Sequence, residues 1–498
     1  MSAKATSRHS PLARGFATLS ILFVCGAAAG DGLSTCKTGS LSDLKEAMRA
    51  HNEHVYRMNR KFRDVWYFQG AVPASVGKEV TFDAIHRYLE QLAPRKAALL
   101  FHATDENRLC TWLLTPDRGK VVQHLLKLSP AGLDDLSPSL WQELGARTAR
   151  RPRVADRAQP HAPLEPQESK QRWNVLLKRI GAMLLPPPVA RRLVEDGTDT
   201  LIVVPISIRS FRYGHEGEND SATQIRNEKK FSELPSTTQL VLAVSTVPFL
   251  ALPLGEARVV DRMSVVVAPG FLPFASAPYP AHGRITAPLV VGAPIRKGLE
   301  PLPGAQAEVE RIATDLKADP LVGEAALKQR VLDELGRRSN ALDFILFATH
   351  GRASESNPVD QSYLEFSDGR LTAREISQLQ QETAAVSGAG NGLRLRQRPV
   401  VVMSACETGL GKNFAVGTIG LARAWQWAGA SNVVMSVWSV DDQATRDLMI
   451  DFVGGLRAGQ AVDKALREAA INVRRLDDNP AFWAAFSVFG APERLRPQ

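Results

Sequence analysis

Phe344-Ile-Leu-Phe-Ala-Thr-His350-Gly351 and Val400-Val-Val-Met-Ser-Ala-Cys406-Glu-Thr-Gly409 decide the fold. Each opens as an unbroken apolar run of strand length, rich in β-branched or aromatic residues. Such runs suit strands buried on both faces of a parallel sheet. Each then stops on one reactive side chain followed by small residues. In open α/β sheets, sites form at the carboxyl ends of strands, so His350 and Cys406 are expected at one edge. A thiol and an imidazole so presented make a nucleophile–base pair.

Around these two runs, strands alternate with helices. Val265–Ala268 and Leu289–Gly292 read as strands, and Ala305–Leu316 and Leu327–Arg337 as helices. Thr372–Gln381 has a helical pattern. Helix Thr418–Ala428, strand Asn432–Val437 and helices Gln443–Leu456 and Ala461–Leu476 complete the series. This alternation predicts an α/β fold, a mostly parallel sheet covered by helices on both faces. Upstream, Thr200–Pro205 is a further buried-type strand, and Ala97–His102 and Cys110–Leu114 flank a polar turn. Helical patterns cover Leu41–Asp64, Val80–Leu92, Val121–Leu128, Pro138–Leu144 and Trp173–Leu185, the last ended by Pro186-Pro-Pro188. A smaller N-terminal region of helices and strands therefore precedes the main sheet, with residues 30–94 mainly helical. The stretch 146–170, poor in large apolar residues, and the Gly- and Arg-rich 384–398 read as loops, and the polar insertion 209–238 reads as a disordered loop, a lid or a partner site.

With 44% hydrophobic and 23% charged residues among 498, the chain is globular and has material for a large core. Its net charge of +9 is concentrated in clusters such as Arg147–Arg157 and Arg394–Arg398. No nucleic-acid module or zinc-finger spacing accompanies them, so they read as solvated surface and nucleic acid is not an expected partner. Lys4, Arg8 and Arg14 precede the apolar stretch Gly15–Ala29, which closes on Ala27-Ala-Ala29. This pattern predicts a signal peptide over residues 1–29 and a secreted or periplasmic protein. The stretch falls short of the ~20 residues a spanning helix needs, so no stable membrane insertion is expected. A lipid anchor at Cys25 and a cytoplasmic location are the alternatives. Without the leader, Cys36, Cys110 and Cys406 remain. Either the first two pair and leave Cys406 free, or all three stay reduced.

Other motifs fail on spacing. His51-Asn-Glu-His54 lacks the zinc-protease pattern, and Gly409-Leu-Gly-Lys412 is followed by Asn413 where a phosphate loop needs Ser or Thr. There is no Gly-x-Ser-x-Gly elbow. No metal-ligand constellation occurs, and no cofactor is expected.

The strings Phe347-Ala-Thr-His-Gly351, Ser404-Ala-Cys-Glu-Thr-Gly409, Leu421-Ala-Arg-Ala424, Gly429-Ala-Ser-Asn-Val-Val434, Trp438-Ser-Val-Asp-Asp442 and Phe482-Trp-Ala-Ala-Phe486 resemble the CHAT domain. This is the bacterial branch of the caspase–separase–gingipain group of cysteine peptidases. The strings follow the family's order. The likeness is best over residues 288–492, within a domain spanning 95–497. It implies a caspase-like fold and an endopeptidase in which Cys406 attacks, His350 shuttles the proton and the amides of Gly351 and Cys406 hold the oxyanion. The Asp442 string is similar to one in which the last acid binds a basic P1 side chain. Asp442 is therefore a substrate-binding candidate, or else a cap for the helix beginning at Gln443. The implied partners are a protein or peptide substrate and an activating protein. A catalytically weak module acting through interaction is the alternative. No tetratricopeptide-type repeats occur, although such repeats commonly precede CHAT domains.

Overall fold

The two signature runs lie side by side in the middle of one eleven-stranded sheet. The structure, a computed structural model, describes residues 36, 38–50, 80–105, 108–117, 121–127, 165–204, 247–268, 270–281, 283–353, 359–379, 395–405, 412–414, 417–438 and 440–495. In chain order the strands are β1 (Ala97–Asp105), β2 (Arg108–Leu114), β3 (Val121–Lys127), β4 (Thr200–Val204), β5 (Ser264–Val267) and β6 (Pro288–Gly292). They continue with β7 (Leu321–Val322), β8 (Phe344–Ala348), β9 (Val400–Ser404), β10 (Asn432–Ser436) and β11 (Phe486–Phe489). Their order across the sheet is β3-β2-β1-β4-β5-β11-β10-β9-β8-β6-β7. Neighbours are parallel except β3–β2, β2–β1 and β11–β10. The sheet is therefore mostly parallel, as expected. The antiparallel β11–β10 junction makes β1, β4, β5 and β11 run opposite to β10, β9, β8, β6 and β7.

Every residue of β8 and β9 is buried, which is why these strands read as continuous apolar runs rather than alternating ones. At β1 the two-residue period separates two cores. Ala98 and Leu100 join the larger one, while Leu99 and Phe101 pack with Leu44, Tyr88 and Trp112 in the smaller. The principal helices are α1 (Phe82–Gln91), α2 (Pro166–Leu184), α3 (Pro187–Glu195), α4 (Pro303–Leu316), α5 (Lys328–Arg337), α6 (Ala373–Gln378), α7 (Leu421–Ala428), α8 (Asp442–Arg457) and α9 (Val462–Leu476).

Two readings are corrected. Val121–Leu128 is not a helix: residues 121–127 form β3, paired along its whole length with β2. Its apolar pairs Val121-Val122 and Leu125-Leu126 fit either period, and the adjacent hairpin partner decides the outcome. Residues 166–170, expected in the 146–170 loop, are helical instead: α2 begins at Pro166, with proline at its start, where a missing N–H costs nothing. The three prolines do stop α2, and α3 starts immediately after Pro186.

The helical residues near the N-terminus belong to the compact unit spanning 35–498. Cys36 and Cys110 form a disulfide with Cα atoms 5.7 Å apart, which ties this region to β2. The leader, the Pro138–Leu144 helix, the 209–238 loop and most of the 146–170 and 384–398 loops lie outside the described residues.

Candidate functional site

Parallel pairing of β8 with β9 sets Phe344 opposite Val400 and Ala348 opposite Ser404. His350 thus follows this rung by two residues, at the carboxyl edge of β8, and in the sequence Cys406 comes two residues after Ser404. The backbone at His350 is held on both sides. Thr349 donates its hydroxyl to the Glu365 carbonyl (2.6 Å), and the Glu365 N–H donates to the His350 carbonyl (2.8 Å). Gly351 opens a small three-stranded sheet, pairing with Leu364. The His350 ring is partly exposed. Its Nε2 lies 2.7 Å from the Glu300 carbonyl. A carbonyl only accepts, so Nε2 carries the proton and Nδ1 of the neutral ring is the basic nitrogen.

Cys406 lies outside the described residues, as does Gly409. The two residues that precede Cys406 are each held by a hydrogen bond from a neighbouring element. The Ser404 hydroxyl donates to Glu308 Oε2 on α4 (2.9 Å), and the Ser436 hydroxyl on β10 donates to the Ala405 carbonyl (2.7 Å). Glu308 is only 1% exposed. Burial pushes its carboxyl well above the usual range, against the lowering effect of the Ser404 bond, and the nearby Asp442 charge adds to the rise. Its Oε1 has no partner among the described residues.

Asp442 begins α8, but the cap of that helix is Asp441, which accepts the N–H groups of Gln443 and Ala444 (both 3.0 Å). The Asp442 carboxylate reaches across to α4 instead, accepting the N–H groups of Gly304 (2.6 Å) and Ala305 (3.1 Å). A Cβ at position 304 would collide with that carboxylate, so the approach requires glycine. Glu300 and Glu308 were not among the sequence candidates. Glu308 did leave a signal, as a charged residue in the helical stripe with Ala305, Val309 and Ile312. The Glu300 carbonyl left none, because a backbone acceptor has no residue identity. Among the described residues, no group of three or more His, Cys, Asp or Glu side chains could hold a metal ion. Among them, too, no helix is long and apolar enough to cross a membrane.

Residues 223–491 match the family described as CHAT domain. Tetratricopeptide repeat protein 28 of Homo sapiens is 28% identical over 220 residues, covering 39% of this chain and 9% of its own. The Mus musculus counterpart is 26% identical over 219 residues with the same coverage, so this chain spans only 9% of the length of these relatives. Among solved structures, the Saccharomyces cerevisiae separase–securin complex aligns over 91% of this chain and 34% of that chain, at 12% identity and a TM-score of 0.49. The Arg-specific cysteine proteinase gingipain R aligns over 63% of this chain and 68% of that chain, at 9% identity and a TM-score of 0.37.

Proposed function

Because this chain belongs to the CHAT domain family, we propose that it is a cysteine endopeptidase with Cys406 as nucleophile and His350 as base. His350 Nδ1 takes the thiol proton, and the Cys406 sulfur adds to the scissile carbonyl carbon. The amides of Gly351 and Cys406 receive the oxyanion. When the C–N bond breaks, the imidazolium returns the proton to the leaving amine. Water, deprotonated by the same ring, then cleaves the thioester and regenerates the thiol. The observation that carries this reading is the shared rung Ala348–Ser404, from which both positions are two residues removed. The Nε2 contact with the Glu300 carbonyl supports it, since it leaves Nδ1 as the base.

Gel-based labelling with a thiol-reactive peptide probe tests the reading. Wild type should label at position 406 and cleave peptides, and Cys406→Ala should do neither. His350→Ala should slow acylation by about 100-fold or more. Equal labelling of Cys406→Ala, or wild-type turnover indifferent to His350, overturns it.

The natural site of action follows as a second part of the proposal: export after removal of residues 1–29. The Cys36–Cys110 disulfide supports it, because such bonds persist in oxidising compartments. Mass spectrometry of the native protein should find a first residue close to Gly30. An intact Met1 on intracellular protein rejects export. An interaction module is the other reading, favoured by relatives whose name records repeats rather than an activity. Absence of peptide turnover in the presence of a normally reactive Cys406 selects it.

A further inference from the structure

We infer that Glu308 is a positioning residue for Cys406, acting through Ser404 from the neighbouring helix α4. The inference rests on the reading of Cys406 as nucleophile and adds a part that reading does not contain. The geometry begins with a carboxyl group sealed from water. Glu308 is 1% exposed on the face of α4 that packs toward the sheet. The Ser404 hydroxyl, at the last residue of β9, donates to its Oε2 at 2.9 Å. From β10, the Ser436 hydroxyl fixes the Ala405 carbonyl at 2.7 Å. The chain thus leaves β9 toward Cys406 with one side-chain and one backbone anchor, each buried.

The charge of the anchor matters as much as its position. Around Glu308, the charged neighbour among the described residues is another acid, Asp442, held on the first turn of the same helix. Ser404 is the group that faces it from β9. Among the described residues no cation pairs with it, and burial favours its neutral form. A neutral acid accepts the Ser404 bond without adding negative charge two residues before a nucleophile that must become a thiolate. An ionised Glu308 would oppose that thiolate, so the two ionisations are mutually unfavourable. Glutamine keeps the shape and the acceptor but has no titratable proton.

The test measures the second-order rate of Cys406 alkylation by iodoacetamide against pH, with position 406 read by peptide mass mapping. Thermal melts of every variant accompany it. Glu308→Ala and Ser404→Ala should each slow labelling by about five- to tenfold at neutral pH, the scale of one buried hydrogen bond. The double variant should be no slower than either single one, because both remove the same link. Glu308→Gln should restore the rate to within about twofold of wild type. Effects that multiply, or a Glu308→Gln rate as slow as that of Glu308→Ala, overturn the inference. If Glu308→Ala fails to fold, Ser404→Ala and Glu308→Gln still decide. A Cys406 that titrates as an ordinary thiol, unaffected by His350→Ala, overturns the nucleophile reading instead. The two failures are thereby distinguished.

Discussion

Two histidines in this chain make the same hydrogen bond and have different fates. His350 Nε2 meets the Glu300 carbonyl at 2.7 Å, and His102 Nε2 meets the Leu184 carbonyl at 2.9 Å. His350 sits just past a strand end with partial access to solvent, whereas His102 is sealed inside β1 and its Nδ1 has no partner among the described residues. Burial lowers the His102 pKa from the ordinary 6.5 to about 4, only partly opposed by the Leu184 carbonyl. The native state therefore binds fewer protons than the unfolded chain between those values. Stability attributable to His102 is whole above about pH 6.5 and is lost as pH falls toward about 4. The loss is roughly 3 kcal/mol for a shift of this size. Denaturant titrations from pH 7 to 4 should show it, and His102→Phe should flatten that part of the curve whatever it does to the baseline. An unchanged slope in His102→Phe removes the residue from the acid response.

At the scale of elements, the site edge is built where α4, α8 and the ends of β8 and β9 meet. The consecutive acids Asp441 and Asp442 divide the work, the first capping α8 and the second capping α4. This arrangement couples the helix carrying Glu308 to the helix beginning beside Trp438. Asn at position 442 retains one acceptor oxygen but loses the negative charge that favours a helix N-terminus. Asp442→Asn should lower stability by about 1 kcal/mol through weakening of the α4 cap. If Asp442 also binds a basic P1 side chain, as its string suggests, a separate outcome is expected: reduced turnover of peptides with Arg or Lys at P1 and undiminished probe labelling of Cys406. Profiling both forms on a P1-randomised library separates cap from pocket: a stability loss with an unchanged P1 profile leaves Asp442 as a cap alone.

Across the whole molecule, a buried ionic node holds segments far apart in sequence. Arg95, fully buried before β1, pairs with Asp463 on α9 and donates to the Thr200 hydroxyl (2.9 Å) and the Glu493 carbonyl (2.7 Å). Asp463 also accepts the Ser264 hydroxyl. The node thereby joins the starts of β4 and β5 to α9 and to the C-terminal segment. Removing one member strands the other charge in the interior, a cost of about 3–5 kcal/mol. Arg95→Ala should show a loss of that size in equilibrium denaturation. A loss below about 1 kcal/mol would mean that water reaches Asp463 and that the node is not the tie described.

The amino-acid sequence by itself determined which segments are buried strands and which are helices around the site. An apolar run such as Val400–Met403 or a helical stripe such as Ala465, Leu466, Ala469 and Val473 is a local pattern that burial imposes on neighbouring residues. It also supplied the motif strings, and with them the candidates His350, Gly351, Cys406 and Asp442. Tertiary structure decided what depends on partners distant in the chain. Residues 121–127 became a strand because β2 lay beside them, and β11 became the antiparallel hinge of the sheet through pairing with β10. The tautomer of His350 came from a backbone carbonyl fifty residues upstream, and the role of Glu308 from a serine ninety-six residues away. Hydrogen-bond acceptors and buried charges of this kind are specified by proximity in space, which no local periodicity records.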